Sequence, residues 1–229
     1  NGRFETIRAF TKTDHTFEDD SSGYLQWTGN FNVSHRPSVG KWTATENDIE
    51  AQYNLNPWDR HAVSVGGNFR WTKINPERRN VTDVTYNHSR YDDYLVGIFL
   101  IDRWNINDKW ALEGQIREDW YSPTEDEPSM RVTSLHTMNK EKEQILRFSI
   151  ARAYRAPRVA IREGSGVGAA LPPPFTGFYA LNAIKADEVT NERMWAFEAG
   201  YQQKINSKTT LRTDAYYHLL KDLIGFYFG

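Results

Sequence analysis

Guanidinium groups, aromatic rings and a stiff proline run converge on one stretch of this chain, residues 156–190. Arg158 and Arg162 stand near its start, and Phe175, Phe178 and Tyr179 follow Pro172-Pro173-Pro174. Planar guanidinium donors and ring faces suit capture of a planar, anionic ligand such as a metal chelate. The same residues could instead pack the loop against itself. Arg70, Arg117, Asp119 and Arg155 form a second set, near the ends of segments that alternate in polarity. On the charged side of those segments they could line a vestibule, or they could pair with one another across neighbouring strands.

Other chemistry finds no footing. Gly164-Ser165-Gly166-Val167-Gly168 lacks the Lys-Ser/Thr that a phosphate loop needs, and no opening helix follows, so it reads as a flexible loop. The six histidines, at 15, 35, 61, 88, 136 and 218, include no pair at metal-ligand spacing. His218 alternates with Asp214 and Tyr216, as the polar side of a wall would. No Ser sits in a Gly-x-Ser-x-Gly elbow. Cysteine is absent, which excludes disulfides and thiolate metal sites. Glu18-Asp19-Asp20 and Glu125-Asp126-Glu127 read as solvated acidic loops that could also hold divalent ions. Three glycosylation sequons, beginning at Asn32, Asn80 and Asn87, read as chance. No catalytic residue, metal site or cofactor is therefore expected. With a net charge of -2 and no basic stripe, nucleic acid is not an expected partner.

The elements that must hold these residues are strands. Aromatics make up 14% of the 229 residues and charged residues 25%, too aromatic for a disordered chain and too polar for a membrane helix. Two architectures fit: a soluble β-rich protein, or a barrel wall in which every second residue meets lipid and its neighbours line a wet interior. Alternation at period two recurs from end to end. It predicts about nine strands: Arg3–Lys12, Asn47–Leu55, His61–Lys73, Tyr91–Ile106, Trp110–Tyr121, Met130–Met138, Glu143–Arg155, Asn191–Ile205 and Thr209–Tyr227. In Trp110–Tyr121 the even positions are Trp110, Leu112, Gly114, Ile116, Glu118 and Trp120, and the odd positions are largely charged or polar. Ten such residues span about 34 Å. Tilted, they rise about 26 Å, the height of a lipid-facing band. Arg3–Lys12 and Met130–Met138 show no clean apolar face.

Connections sharpen the choice. Tight, turn-forming segments stand at 56–60, 107–109, 139–142 and 206–208, rich in Asn, Asp, Pro and Ser. Longer ones stand at 13–46, 74–90, 122–129 and 156–190, with 13–46 a candidate for a further hairpin. Short and long alternate, as in transmembrane barrels with short turns at one rim and long loops at the other. Nine is odd, and an odd count cannot close an antiparallel ring. An open edge cannot stand in hydrocarbon. The count therefore predicts part of a barrel.

Ser149-Ile150-Ala151-Arg152-Ala153-Tyr154-Arg155-Ala156-Pro157 resembles a strand-to-loop motif of the TonB-dependent outer-membrane receptors. Ile184-Lys185-Ala186-Asp187-Glu188 and Glu198-Ala199-Gly200-Tyr201 stand where that family often has Leu-Lys-Pro-Glu and Glu-x-Gly. Gly66-Gly67-Asn68-Phe69-Arg70 and Asp102-Arg103-Trp104 are similar to two further family stretches. The chain departs from the pattern at Ala186-Asp187 and at Met130. The resemblance covers roughly residues 60–225 and implies an all-β, antiparallel up-and-down transmembrane β-barrel, present in part. It further implies that residues 1–229 belong to a single barrel domain whose plug and C-terminal portion are absent. The function it implies is active transport: uptake of a ferric siderophore or similar scarce nutrient across the bacterial outer membrane, energised through TonB acting on the plug. Implied partners are outer-membrane lipid, TonB and a small metal chelate. A passive porin or adhesin barrel and a soluble carbohydrate-binding β-protein remain alternatives.

Overall fold

The structure, a computed structural model, describes residues 2–36, 40–76, 84–86, 88–139, 143–167, 180–181 and 189–224. Its strands are β1 (Arg3–Thr16), β2 (Ser22–Arg36), β3 (Gly40–Asn54), β4 (His61–Pro76), β5 (Val84–Tyr86), β6 (Tyr91–Trp104), β7 (Trp110–Tyr121), β8 (Glu127–Thr137), β9 (Gln144–Arg155), β10 (Gly164–Val167), β11 (Ala180–Leu181), β12 (Glu192–Lys204) and β13 (Thr210–Lys221). One helical turn, α1 (Val159–Arg162), follows β9. Ten strands make one sheet in the order β1-β2-β3-β4-β6-β7-β8-β9-β12-β13, every neighbour antiparallel. A small second sheet, β11-β10-β5, joins backbone from two different connections.

The count corrects the sequence reading. Residues 13–46 hold the further hairpin for which they were a candidate, and are not one long connection: they complete β1, form the whole of β2 and begin β3. Ten is even, so parity no longer argues for a partial barrel. The partial barrel is seen directly instead, as a sheet left open between β1 and β13, each paired on one side only. The loop pattern is also less regular than expected. On the rim opposite the tight turns, β2 and β3 are separated by residues 37–39 alone, and β7 and β8 by 122–126.

Tight turns form where Asx side chains satisfy backbone amides. Asn107 Oδ1 accepts from the amides of Lys109 and Trp110 at 2.9 and 3.0 Å. Asn139 Oδ1 does the same for Glu143 and Gln144. Between β1 and β2, Asp20 takes a positive φ of 63° and Asp19 Oδ1 accepts from the Ser21 amide and hydroxyl. The acidic cluster 18–20 thus lies on the tight-turn rim, not in an outer loop, and Asp19 is a turn cap.

There is almost no conventional core. The buried apolar residues among those described are Tyr91, Val159 and Ala196. Large apolar side chains stand exposed in rows along one face: Val96, Ile98 and Leu100 on β6, Ile116 and Trp120 on β7, Met130 and Val132 on β8, Phe148 and Ile150 on β9. Trp110, Ile116 and Trp120 are 40%, 55% and 40% exposed. Apolar surface on this scale needs a covering phase. The opposite face is polar and knitted by side-chain bonds, such as Arg131 to Ser149 and Glu198, and Arg147 to Asp214. Such two-sidedness is the chemistry of a barrel wall between lipid and a wet lumen.

Candidate functional site

The polar face is concave toward the loop rim. Six strands contribute side chains there: Asn32 from β2; Trp42, Ala44 and Glu46 from β3; Arg70, Thr72 and Ile74 from β4; Leu95 from β6; Tyr121 from β7; and Tyr154 from β9. Ala156, Arg158 and Val159, at the start of the connection after β9, close one side. Together they bound a cavity of about 540 Å³, large enough for a small-molecule ligand.

Each predicted arginine has a distinct place. Arg70 lines the cavity and donates through Nε to Asp48 Oδ2 at 2.5 Å, with 45% of its side chain still exposed. Arg117 lies below, donating to Asp119 at 2.5–2.9 Å and to Asn68 at 2.5 Å. That pair lies flat over Gly97, where any Cβ would collide with it. Arg155, which alternation placed on the lumen face, has a side chain 75% exposed and is ion-paired to Glu192, while its neighbour Tyr154 lines the cavity. Arg158 is exposed, lines the cavity and has no ion pair among the described residues. Arg162 is 4% exposed and its Nη2 donates to Asp93 Oδ2 at 2.7 Å. Phe175, Phe178 and Tyr179 lie outside the described residues.

Sequence reasoning missed four residues of this site. Trp42 fell within the illegible stretch 13–46. Tyr121 and Tyr154 sit at strand ends, where an aromatic is as readily read as part of a lipid belt. Asp93 gave no local signal; its partners are 28 and 69 residues away in sequence. The Glu125-Asp126-Glu127 cluster proves occupied by the protein itself: Glu127 takes Arg152 and Arg193, and Glu125 takes Arg193. Among the described residues no group of three or more His, Cys, Asp or Glu stands ready to hold a metal.

The arrangement sets three aromatic side chains, one ion-paired guanidinium and one guanidinium with no ion pair among the described residues around an open concavity. It can hold an anionic ligand with flat faces through stacking and charge-assisted hydrogen bonds.

Comparison with known proteins gives the same architecture. Residues 1–229 match the family described as TonB dependent receptor-like, beta-barrel. Among solved structures, the siderophore receptor PirA of Pseudomonas aeruginosa superposes with a TM-score of 0.73 at 12% identity, over 95% of this chain and 39% of that one. A ferric enterobactin receptor (PfeA) variant of Pseudomonas aeruginosa, in complex with enterobactin, gives 0.73 at 16%, over 96% and 35%. The copper transporter OprC gives 0.65 at 12%, over 96% and 39%. At such identities the likeness is one of fold. The chain spans well under half the length of these structures. No curated protein matches the sequence at a significant level.

Proposed function

This chain belongs to the TonB-dependent receptor β-barrel family, and from that premise we propose that it forms one wall of a bacterial outer-membrane receptor that takes up a ferric siderophore or a similar anionic metal chelate. In this reading the tight-turn rim faces the periplasm and the loop rim faces outward. Residues 1–229 supply ten strands of one barrel domain. The remaining wall lies in polypeptide outside these residues, because β1 and β13 present edges that hydrocarbon would not tolerate, and the plug is a separate segment of the same receptor. Lipid covers the exposed apolar rows, and TonB acts on the plug. The barrel does no bond chemistry; it captures and admits.

One observation carries the ligand class. Arg158 has no ion pair among the described residues and stands, exposed, at a cavity lined by Trp42, Tyr121 and Tyr154. Aromatic faces and an exposed guanidinium favour a flat, anionic chelate over a neutral sugar or a bare cation. The test is binding by whole cells that carry the receptor, using ferric enterobactin as a tris-catecholate probe and ferrichrome as a neutral comparison. Catecholate should bind and ferrichrome should not. Arg158→Ala should weaken catecholate binding by roughly tenfold, the effect of about 1.4 kcal/mol. Equal binding of both chelates, unaffected by Arg158→Ala, would defeat the assignment.

A further inference from the structure

Arg162 has the side chain of a ligand contact but not the exposure of one. Its guanidinium is 4% exposed, 2.7 Å from an Asp93 carboxylate that is itself 9% exposed. The Tyr121 hydroxyl donates to the same oxygen, Asp93 Oδ2, at 2.9 Å. Three segments therefore meet on one carboxylate: β6 through Asp93, β7 through Tyr121 and the connection after β9 through Arg162. An ion pair this far from water is strong only while every partner is present; removing one leaves an uncompensated buried charge.

The position of the trio gives it a consequence. Tyr121 lines the cavity, and Arg162 ends the single helical turn whose preceding residue is Arg158. The Arg162 amide donates to the Arg158 carbonyl at 3.1 Å, so the anchor lies one turn from the exposed cation. Val159, also in that turn and on the cavity wall, is 7% exposed. A helix of four residues has too few internal bonds to hold itself. What holds it is the contact with the wall.

Resting on the reading of the cavity as the ligand site, we infer that Asp93 is a positioning residue: it clamps Arg162 and Tyr121 and thereby fixes Arg158 over the cavity. Arg162 does not touch the ligand. It sets where Arg158 stands, and Asp93 couples that placement to Tyr121 on the cavity wall.

The test separates position from affinity. This chain contains no cysteine, so spin labels can be placed through Ala156→Cys, beside the turn, and Thr72→Cys, on the β4 wall of the cavity, in the receptor embedded in outer-membrane vesicles. The inter-label distance should be a single narrow population. Arg162→Ala and Asp93→Asn should each broaden it into several, and Arg162→Lys should partly restore it. Tyr121→Phe removes one hydroxyl, tests the same hub in a fully folded wall, and should broaden it less. If the positioned state falls to a tenth of the ensemble, affinity for ferric enterobactin falls about tenfold in parallel. An unchanged distance distribution in Arg162→Ala and Tyr121→Phe overturns the inference. If the distribution broadens while neither Arg162→Ala nor Arg158→Ala alters probe binding, the clamp stands and the cavity's role as ligand site fails instead.

Discussion

At Gly97 the Arg117 guanidinium and the Asp119 carboxylate lie directly against backbone, and they do so because position 97 carries no Cβ. The pair reaches Asn68 on β4 across β6, so one missing methyl lets three strands share a charge-assisted bond. Gly97→Val should therefore destabilise the wall by roughly 1–3 kcal/mol through overpacking. Gly114 is the natural control: it is on the lipid-facing side of β7 and nothing lies within 4 Å of the position its Cβ would take. Gly114→Val should be neutral or mildly stabilising, since β-branched residues suit strands. Urea unfolding of the two variants in detergent micelles reads the contrast, and equal midpoints would refute it. The same scale explains which site residues sequence showed and which it hid. Arg158 and Arg162 were found together as loop arginines, but a sequence gives a guanidinium no address. One is open to solvent at the cavity; the other is spent on Asp93.

Along single elements, alternation was a reliable guide wherever both faces were distinct. It placed Trp110, Ile116 and Trp120 of β7 on the outward face, where they are exposed. It failed on β2 for a physical reason. The outward positions of β2 are Gly23, Leu25, Trp27, Gly29, Phe31 and Val33, an apolar face interrupted by glycines, which carry no side chain to mark it. Gly29 instead lies under the Trp27 ring, which would strike any Cβ there. The glycine serves packing on that face. At the end of β9 the pattern broke differently, since the β8–β9 ladder stops at Met130 and Arg152, and Tyr154 rather than Arg155 joins the cavity. Turns were legible because Asx chemistry is local. The β1–β2 turn makes a pH prediction: hydrogen bonds from the Ser21 hydroxyl and amide hold the Asp19 carboxyl below its ordinary value. A depressed folded pKa adds stability that is complete above the unfolded value of about 4 and is lost as pH falls through the folded one. Pepsin cutting near Phe17 should accordingly be faster in Asp19→Ala than in the parent at pH 5, with the ratio falling toward one near pH 2. A ratio independent of pH would remove Asp19 as the cause.

For the molecule as a whole, inside and outside are exchanged relative to a soluble protein, and that inversion sets mutational tolerance. Ile116 stands midway along β7 on the exposed apolar face, 55% exposed, with Gln115 beside it on the polar face next to Glu113. Ile116→Arg should cost roughly 2–4 kcal/mol in a bilayer, whereas Gln115→Arg should be tolerated, as lumen charges are. Folding into lipid vesicles, followed by heat-dependent gel mobility, distinguishes them; a soluble β-protein would show the opposite ranking or none. The inversion was visible in composition, in the joint excess of aromatics and charges, but the strand count was not, because the apolar face of β2 is broken by Gly23 and Gly29. The small sheet that stitches β5 to β10 and β11 carries a practical message for engineers of such walls. Backbone from residues 84–86 and from 164–166 shares one hydrogen-bond ladder, so a loop transplanted singly would arrive with that ladder's groups orphaned. Grafts that swap recognition between relatives should move both segments as one cassette.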